Sequence, residues 1–243
     1  MDSFPMRINK YLAWKNISTR RGADELIEKG KVFINGKKAL LGSKVNEADT
    51  VEVRGHKAKE YVYLAYNKPR GVITHSPQED EEDIKENIKE KLKKSGLPKE
   101  LASDIFPVGR LDKDSHGLII LTNDGRITDK LLNPKYVHEK EYVVKVSGKL
   151  RTSFKEKMEA GVNIEGYKTQ KCKVEITDEN KFRIILSEGK KHQIRRMCSA
   201  LFQEVADLHR VRVMNIKLGK LRPGAYRAIE GEELDTFLKA VLK

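Results

Sequence analysis

A single loop between residues 109 and 117 carries the side chains that are best placed to do chemistry in this chain. Asp112 and Asp114 stand close to Arg110, and an apolar run from Leu118 to Leu121 follows them. The β-branched middle of that run favours a strand buried on both faces, with turn residues directly after it. Such a strand would hold one carboxylate rigidly beside one cation, as functional loops often do. This loop could therefore perform chemistry that needs one oriented carboxylate. The pattern alone does not identify a reaction.

Two other interpretations of this loop need to be weighed. A calcium loop is suggested by Asp112, Asp114 and Gly117, which occupy the first, third and sixth positions of the helix-loop-helix calcium pattern. That interpretation fails because His116 stands where an oxygen donor is wanted, because Asn123 stands where a bidentate Glu is wanted, and because an apolar strand follows in place of a second helix. The other interpretation is a turn whose acids simply face water, and the loop residues by themselves leave it open.

The same loop resembles the catalytic-aspartate motif of the RsuA-type ribosomal RNA pseudouridine synthases. The similarity covers Gly109, Arg110, Leu111, Asp112, Ser115, Gly117, Leu118 and the run from Asn123 to Gly125. Three further signatures of that family occur in the expected order, namely Lys68, Pro69 and Gly71; Lys140, Glu141 and Tyr142; and Glu188, Gly189 and His192 to Met197. The C-terminal half is most similar to the large-subunit synthase F subgroup, through residues 171–174 and 212–215.

The resemblance implies that the protein isomerises a uridine of RNA to pseudouridine. The bond from the base nitrogen to the ribose breaks, the uracil turns over, and a carbon–carbon bond forms. No cofactor and no metal is implied, and the sequence has neither a metal-binding His pair nor a dinucleotide fingerprint. The target base would have to be flipped out of its helix, at a cost of a few kcal/mol.

Three residues receive catalytic roles from the resemblance. Asp112 matches the carboxylate that attacks the ribose, attacks the base or deprotonates the ribose, and the residues do not choose between these steps. Arg195 matches its basic partner, and Tyr142 matches the aromatic residue that stacks on the target base, although a Tyr in an alternating strand can equally be core. We assign His192 and His209 to RNA contact or structure, because the family's chemistry uses neither.

Four more residues are expected to bind the substrate. By resemblance, Arg110 would fill the gap left in the RNA, and Leu208 would pack against the flipped base unless it is ordinary core. Lys68 belongs to the same predicted set. Arg196 is either structural or RNA-facing.

Composition supports a polyanionic partner. The 243 residues include 49 Lys and Arg against 36 Asp and Glu, a net charge of +13, which favours nucleic acid or an anionic membrane surface. No apolar run approaches the roughly 18 residues that span a bilayer, and the N-terminus lacks the apolar core of a signal peptide. We therefore expect a soluble cytoplasmic protein that does not associate with membranes. Its two cysteines are too few for a disulfide framework or a four-thiolate zinc site.

Residues 1–59 are predicted to form a small separate domain. Two short helices, the second capped by Ser18 or Thr19, are followed by strands at residues 31–34 and 50–53. This pattern resembles the S4 RNA-binding fold and is rich in basic residues. Cations at a helix N-terminus oppose the helix dipole unless an anion is expected there, and the second helix begins with two arginines. The predicted RNA-binding residues are Arg7, Lys10, Arg20, Arg21 and Lys31.

Residues 60–243 are predicted to form the larger, catalytic domain. Strands and helices mix without regular alternation, so we expect an α+β fold with a mostly antiparallel mixed sheet. Residues 78–104 are acidic, with one thin apolar stripe of Ile84, Ile88 and Leu92, and are expected to form an exposed helix away from RNA or a mobile insertion.

Ribosomal RNA is the expected partner, and large-subunit RNA is favoured only through the subgroup resemblance. A transfer RNA is an alternative substrate, and the protein is expected to be a monomer. One alternative function is a non-catalytic S4-type RNA-binding or ribosome-assembly protein, which would lack Asp112, Tyr142 or Arg195. Another is a nucleosidase, which would need a second positioned carboxylate, and Asp114 is the only near one.

Overall fold

The chain divides into two compact units, each with its own buried core. The computed structural model describes residues 4–15, 17–55, 60–75, 82–133 and 135–242. The first unit comprises residues 1–61 with 124–127, and the second comprises 62–123 with 128–243.

The first unit begins with two helices and ends in short strands. Its elements are β1 (Met6–Arg7), α1 (Ile8–Trp14), α2 (Arg20–Glu28), β2 (Val32–Ile34), β3 (Lys37–Lys38), β4 (Lys44–Val45) and β5 (Val51–Val53). Strand β1 pairs with β4, and β2 lies between β3 and β5 in a second small sheet. The predicted order of two helices followed by strands is confirmed. Asn16, which could end the first helix, lies outside the described residues.

The two helices are placed by an apolar stripe and by one capping residue. Ile8 and Leu12, four residues apart in α1, are fully buried against Ala23 of α2, as expected for neighbours on one helical face. The hydroxyl of Thr19 accepts a hydrogen bond from the Gly22 N–H at 3.0 Å. Of the two predicted caps, Thr19 therefore satisfies one of the unpaired donors at the start of α2.

The remaining elements surround one large sheet. They are, in chain order, β6 (Tyr63–Lys68), α3 (Ile84–Lys93), α4 (Lys99–Ser103), β7 (Phe106–Val108), β8 (His116–Thr122), α5 (Arg126–Leu132), β9 (Lys140–Val146), α6 (Phe154–Glu159), β10 (Asn163–Ile164), β11 (Tyr167–Lys168), β12 (Lys173–Asp178), β13 (Lys181–Leu186), α7 (Gln193–Ala200), β14 (Val205–Val213), β15 (Ile216–Lys217), β16 (Tyr226–Ala228) and α8 (Gly231–Val241).

The sheet runs in the order β12-β13-β9-β14-β8-β6-β16, with β7 paired to β8 and β15 paired to β14. Strands β14 and β8 are parallel, and the other pairs are antiparallel. The expected α+β fold with a mostly antiparallel mixed sheet is therefore confirmed. The apolar run of β8, Leu118 to Leu121, is at most 1% exposed and lies between β14 and β6.

Helix α3 differs from its prediction. Its stripe of Ile84, Ile88 and Leu92 is at most 4% exposed and packs into the same core as Tyr66 and Ile119. The helix therefore packs against the sheet through its apolar face, and only its charged face is exposed to solvent. The predicted segment also includes residues 78–81, which lie outside the described part of the chain.

Several short strands were not predicted from the sequence, among them β7 and β16. Strand β7 contains Pro107, which removes a backbone donor and so argues against a strand, yet β7 pairs with β8 at the edge of the ladder. Strand β16 is three residues long and pairs with β6. Both depend on partners distant in the chain. Among the described residues, no helix has the length and apolar character required to cross a bilayer.

Candidate active site

A cavity of about 790 Å³ lies within the second unit, where the loop after β7, strand β9 and the loop before α7 meet. Four of the residues that the sequence singled out line it, namely Arg110, Asp112, Tyr142 and Leu208. They come from three separated segments of the chain. The cavity is therefore assembled by the fold, and it brings together one aspartate, one tyrosine ring and one apolar side chain from the predicted set.

The Asp112 loop is held by its neighbours on both sides. The hydroxyl of Thr74 donates to the Leu111 carbonyl oxygen at 2.7 Å and accepts from the Leu111 N–H at 3.1 Å. After the loop, Gly117 has φ +107°, and a Cβ there would lie 2.3 Å from the Arg210 carbonyl oxygen. Only glycine allows β8 and β14 to approach this closely. These contacts fix the backbone that presents Asp112 to the cavity.

Lys68 lies beneath the loop instead of in the cavity. It is fully buried, and its ammonium donates to the carbonyl oxygens of Pro69 at 2.9 Å, Val72 at 2.6 Å and Lys113 at 3.4 Å. Burial lowers the pKa of Lys68 to about 8, and the negative charge of Asp112 opposes that shift. Lys68 therefore joins the turn after β6 to the Asp112 loop. Its predicted role in binding substrate is corrected to one of support, because its charge is satisfied inside the protein.

Arg210 is a second buried cation, and no sequence signal distinguished it from other arginines of a basic segment. It is 4% exposed, lines the cavity and donates to the Leu118 carbonyl oxygen at 2.6 Å and the Arg110 carbonyl oxygen at 3.4 Å. The guanidinium thus connects β14 to both ends of the Asp112 loop. Arg210 therefore also brings positive charge to the wall of the cavity.

The residue in contact with Asp112 is His192. Its Nε2 lies 3.5 Å from Asp112 Oδ1, and both side chains are partly exposed, at 48% and 38%. The predicted pair of Asp112 with Arg195 is not formed, since Arg195 makes no ion pair with Asp112 and its Nη1 donates to the Val205 carbonyl oxygen at 3.2 Å. Gln193 and Ile194 line the cavity, and Arg195 is not among the lining residues.

His192 also has an unusual backbone. It precedes α7 in the left-handed region, at φ +52° and ψ +28°. A non-glycine residue there costs on the order of 1–3 kcal/mol and often marks a functional site. The sequence assigned His192 to RNA contact or structure, and the structure places it against Asp112 instead.

Arg196 makes contacts within the protein, which fits the structural one of the two options that the sequence left open. Its guanidinium pairs with Glu165 at 2.6 Å and donates to the Ile164 carbonyl oxygen at 3.4 Å. It is not among the residues that line the cavity. Arg196 therefore attaches α7 to the turn between β10 and β11.

Asp112 is one of two carboxylates that line the cavity among the described residues. Glu188 also lines it, but this buried group accepts hydrogen bonds from the Tyr167 hydroxyl at 2.5 Å, the Gln170 N–H at 3.0 Å and the Gln193 amide at 2.6 Å. Asp114 is exposed and does not line the cavity. The described residues therefore do not offer the second positioned carboxylate that a nucleosidase would need.

Lys140 is a further cation that lines the cavity. In the sequence it was singled out only as part of the Lys140, Glu141 and Tyr142 signature. It lines the cavity with Tyr142, and burial followed by repulsion from Arg210 lowers its pKa to about 8. Its hydrogen bond to the His138 carbonyl oxygen measures 3.3 Å. Lys140 is thus a poorly compensated charge.

We expect Lys140→Met to raise the free energy of unfolding at pH 7 by about 1 kcal/mol, because an apolar residue replaces a charge that lacks a carboxylate partner. The folded-state pKa of about 8 lies below the unfolded value of 10.5, so the unfolded chain binds more protons between these values. The free energy of unfolding of the wild type therefore increases as pH rises through that window. The stability advantage of Lys140→Met over the wild type should shrink accordingly. Urea unfolding at pH 7 and pH 10 measures both effects, and a loss of stability at pH 7 would contradict them.

The predicted RNA-binding residues of the first unit lie near its surface. Arg20 and Arg21 form the exposed first turn of α2, which contains no acidic residue. Arg7 is exposed in β1, whereas Lys10 and Lys31 are half-buried. The arginine pair remains the feature best suited to bind an RNA phosphate.

The fold and the cavity define a protein with an S4-type unit and a pocket built around a single aspartate, and comparisons with known proteins agree. A profile described as RNA pseudouridylate synthase matches residues 62–200, and an S4 domain profile matches residues 6–51. The chain therefore belongs to the RNA pseudouridylate synthase family. It is an isomerase that acts on RNA.

Individual relatives support the same assignment. The chain is 41% identical over 241 residues to the dual-specificity RNA pseudouridine synthase RluF of Escherichia coli K12, covering 97% of this chain and 79% of that protein. It is 36% identical over 237 residues to the ribosomal large subunit pseudouridine synthase B of Bacillus subtilis 168, covering 94% and 93%. A crystal structure of a pseudouridylate synthase matches with a TM-score of 0.67 at 27% identity, covering 98% and 100%. The predicted similarity to the synthase F subgroup is confirmed.

Proposed function

We propose that this protein converts a uridine of large-subunit ribosomal RNA to pseudouridine, with Asp112 as the catalytic carboxylate. The observation that carries the proposal is the cavity, in which Asp112 is the one uncommitted carboxylate and Tyr142 and Leu208 line the same space. The choice of ribosomal RNA is supported by the name of the Bacillus subtilis relative, which acts on the large subunit. The Escherichia coli relative is named as dual-specificity, so transfer RNA is the second substrate to test.

The reaction needs no net addition or removal of atoms. The bond between uracil N1 and ribose C1′ breaks, and a bond between uracil C5 and C1′ forms. The proton lost from C5 is matched by the proton gained at N1, so the product is an isomer of the substrate. An oriented carboxylate can assist by bonding to the ribose or by removing a ribose proton.

The environment of Asp112 suits this role. Lys68 beneath the loop and Arg210 in the wall both place positive charge near it, and His192 contacts its carboxylate. A carboxylate acts as nucleophile or base in its ionised form. Arg195 remains a proposed partner of Asp112 on the resemblance alone; in this structure its Nη1 donates to the Val205 carbonyl oxygen.

The other cavity residues would handle the flipped nucleotide. We assign Tyr142 to stacking on the uracil and Leu208 to packing against it, because an aromatic face and an apolar side chain are the usual partners of an extruded base. Arg110, on the loop itself, would occupy the gap left in the RNA. All these residues come from one chain, so a monomer is sufficient for the proposed reaction. We place the protein in the cytoplasm, where ribosomal RNA is found.

RNA binding would be shared by an S4-like domain, residues 1–59, and the catalytic domain, residues 60–243. The net charge of +13 supports binding to a polyanion. In the S4-like domain we assign phosphate contacts to Arg7, Lys10, Arg20, Arg21 and Lys31.

A comparison of cells with and without the gene tests the function directly. Pseudouridines are mapped in total RNA from both, and we expect one position of the large-subunit RNA to lose its modification. Loss of a position in transfer RNA alone would replace the proposed substrate. An identical map in both cells would contradict the proposed function.

We expect Arg20→Ala with Arg21→Ala to weaken RNA binding and to reduce the slope of its salt dependence by at most about two phosphate contacts. The reason is that both guanidinium groups lie exposed at the start of one helix. Filter binding over a range of salt concentrations measures the slope. Lys93→Ala with Lys94→Ala, at the end of α3, is the matched control and should leave the slope unchanged. An unchanged slope in the arginine variant would mean that this helix does not face RNA.

A further inference from the structure

The side chain of Lys140 shares a strand face with Tyr142. Side chains alternate along a strand, so residues 140, 142, 144 and 146 of β9 point the same way. Val144 and Val146 are fully buried in the core of the second unit, whereas Lys140 and Tyr142 line the cavity. Two residues of a strand are about 7 Å apart along its axis, so a base stacked on Tyr142 would bring its edge close to the Lys140 ammonium.

The neighbouring carboxylates are turned away from Lys140 and are already paired. Glu139 lies 3.1 Å from Arg212. Glu141 lies 2.8 Å from Arg212 and 2.9 Å from Arg183, on the opposite face of β9. The acids closest in sequence therefore do not neutralise Lys140. Among the described residues, its hydrogen-bond partner is the His138 carbonyl oxygen at 3.3 Å.

Lys68 shows how the same protein treats a lysine that only supports the fold. Arg210 repels both lysines, but Lys68 has three carbonyl acceptors and is attracted by two aspartates, whereas Lys140 has one acceptor. Lys68 is also sealed beneath the loop, while Lys140 faces the cavity. Lys140 lacks a compensating negative charge on the side where the substrate would enter. A substrate oxygen that carries negative charge would supply that compensation.

We propose that the Lys140 ammonium hydrogen-bonds a carbonyl oxygen of the target uracil and stabilises the negative charge that the base carries after it separates from the ribose. The inference rests on the proposed function, because it assumes that a uracil stacks on Tyr142. It adds a catalytic residue to the Asp112 site and gives it a distinct step.

The step balances as follows. When the N1–C1′ bond breaks, its electron pair stays on the uracil and is shared with O2 and O4. Asp112 compensates the electron-poor ribose, by bonding to C1′ or by taking the C2′ proton. The uracil then rotates and C5 bonds to C1′. In the first route the bond between Asp112 and C1′ breaks as this bond forms, and in the second route Asp112 returns its proton to C2′. The C5 proton is then released, and N1 gains a proton. Lys140 remains an ammonium throughout and acts only through its charge and its hydrogen bond.

The test uses the full-length protein in excess over a large-subunit ribosomal RNA transcript whose uridines carry tritium at C5. Tritium release reports the chemical step in a single turnover, and filter binding reports affinity. We expect Lys140→Met to slow release by about 100-fold, as for loss of one transition-state donor, with RNA affinity within about threefold. Lys140→Arg, which keeps the charge, should recover at least about tenfold over Lys140→Met.

Lys145→Met is the matched control, because Lys145 lies exposed on the other face of β9. It should leave the rate unchanged. A rate for Lys140→Met within threefold of wild type would overturn the proposal. So would an affinity loss that matches the rate loss, which indicates a phosphate contact, or a lowered melting temperature, which indicates a structural role.

Asp112→Asn in the same assay separates this inference from the proposed function. If the wild type releases tritium, Asp112→Asn does not, and Lys140→Met behaves as wild type, only the role of Lys140 is wrong. If the wild type releases no tritium from this RNA, the proposed substrate is wrong, and the Lys140 inference is refuted with it.

Discussion

Asp112→Asn is expected to abolish pseudouridine formation, with a single-turnover rate at least about 10,000-fold below wild type, as when a catalytic group is removed. The substitution keeps the size of the side chain and removes the carboxylate that contacts His192 and lies near Lys68. An amide is neither a nucleophile nor a base at neutral pH. Tritium release from uridine C5 and mapping of the modified position both measure the result.

RNA affinity of Asp112→Asn should stay within about threefold of wild type, because affinity depends mainly on phosphate contacts. Asp114→Asn is the matched control. Asp114 lies two residues further on, is exposed and does not line the cavity, so its variant should keep most of the activity. Undiminished turnover in Asp112→Asn would remove the catalytic assignment. A similar collapse in both variants would show that the loop needs its charge for folding.

Lys68→Met is expected to lower the free energy of unfolding of the second unit by about 3 kcal/mol, since removing one partner of a buried charged network leaves the others uncompensated. The carbonyl oxygens of Pro69, Val72 and Lys113 would lose their donor in a water-poor site. The loss corresponds to about a 100-fold change in the ratio of folded to unfolded protein. Urea unfolding followed by circular dichroism measures it at pH 7.

Lys140→Met provides the comparison for Lys68→Met, because the same substitution is made at a half-buried lysine with a similarly lowered pKa. The two variants are expected to change stability in opposite directions. A loss of similar size in both would mean that Lys140 has a compensating partner in the folded protein. No loss in Lys68→Met would mean that the turn and the loop are held without the ammonium, chiefly by Thr74.

The two lysines illustrate how the protein divides its buried charge. One cation is satisfied by backbone carbonyls and holds the catalytic loop, and another is left poorly compensated where the substrate would bind. Arg210 lies between these roles, since it bonds to the loop and also lines the cavity. A positive wall around one carboxylate suits a reaction on a polyanion.

Much of the fold was predictable because its signals are local. Helix α2 follows from its cap and its apolar stripe, and β8 follows from a short β-branched run bounded by turn residues. The alternation in β9 predicted which side chains share a face with Tyr142. Strands β7 and β16 were missed because short edge strands form only when a partner strand supplies the hydrogen bonds.

The sequence by itself determined the family, the S4-type unit and the loop that carries Asp112, because motifs and periodic patterns depend on residues close together in the chain. Only the tertiary structure decided which cations surround that loop. Arg210 reaches the Leu118 carbonyl oxygen from 92 residues away, His192 replaces Arg195 in contact with Asp112, and Lys68 turns inward. Long flexible cationic side chains have many possible partners in a sequence. The folded backbone selects among them by distance and by the cost of burying an unpaired charge.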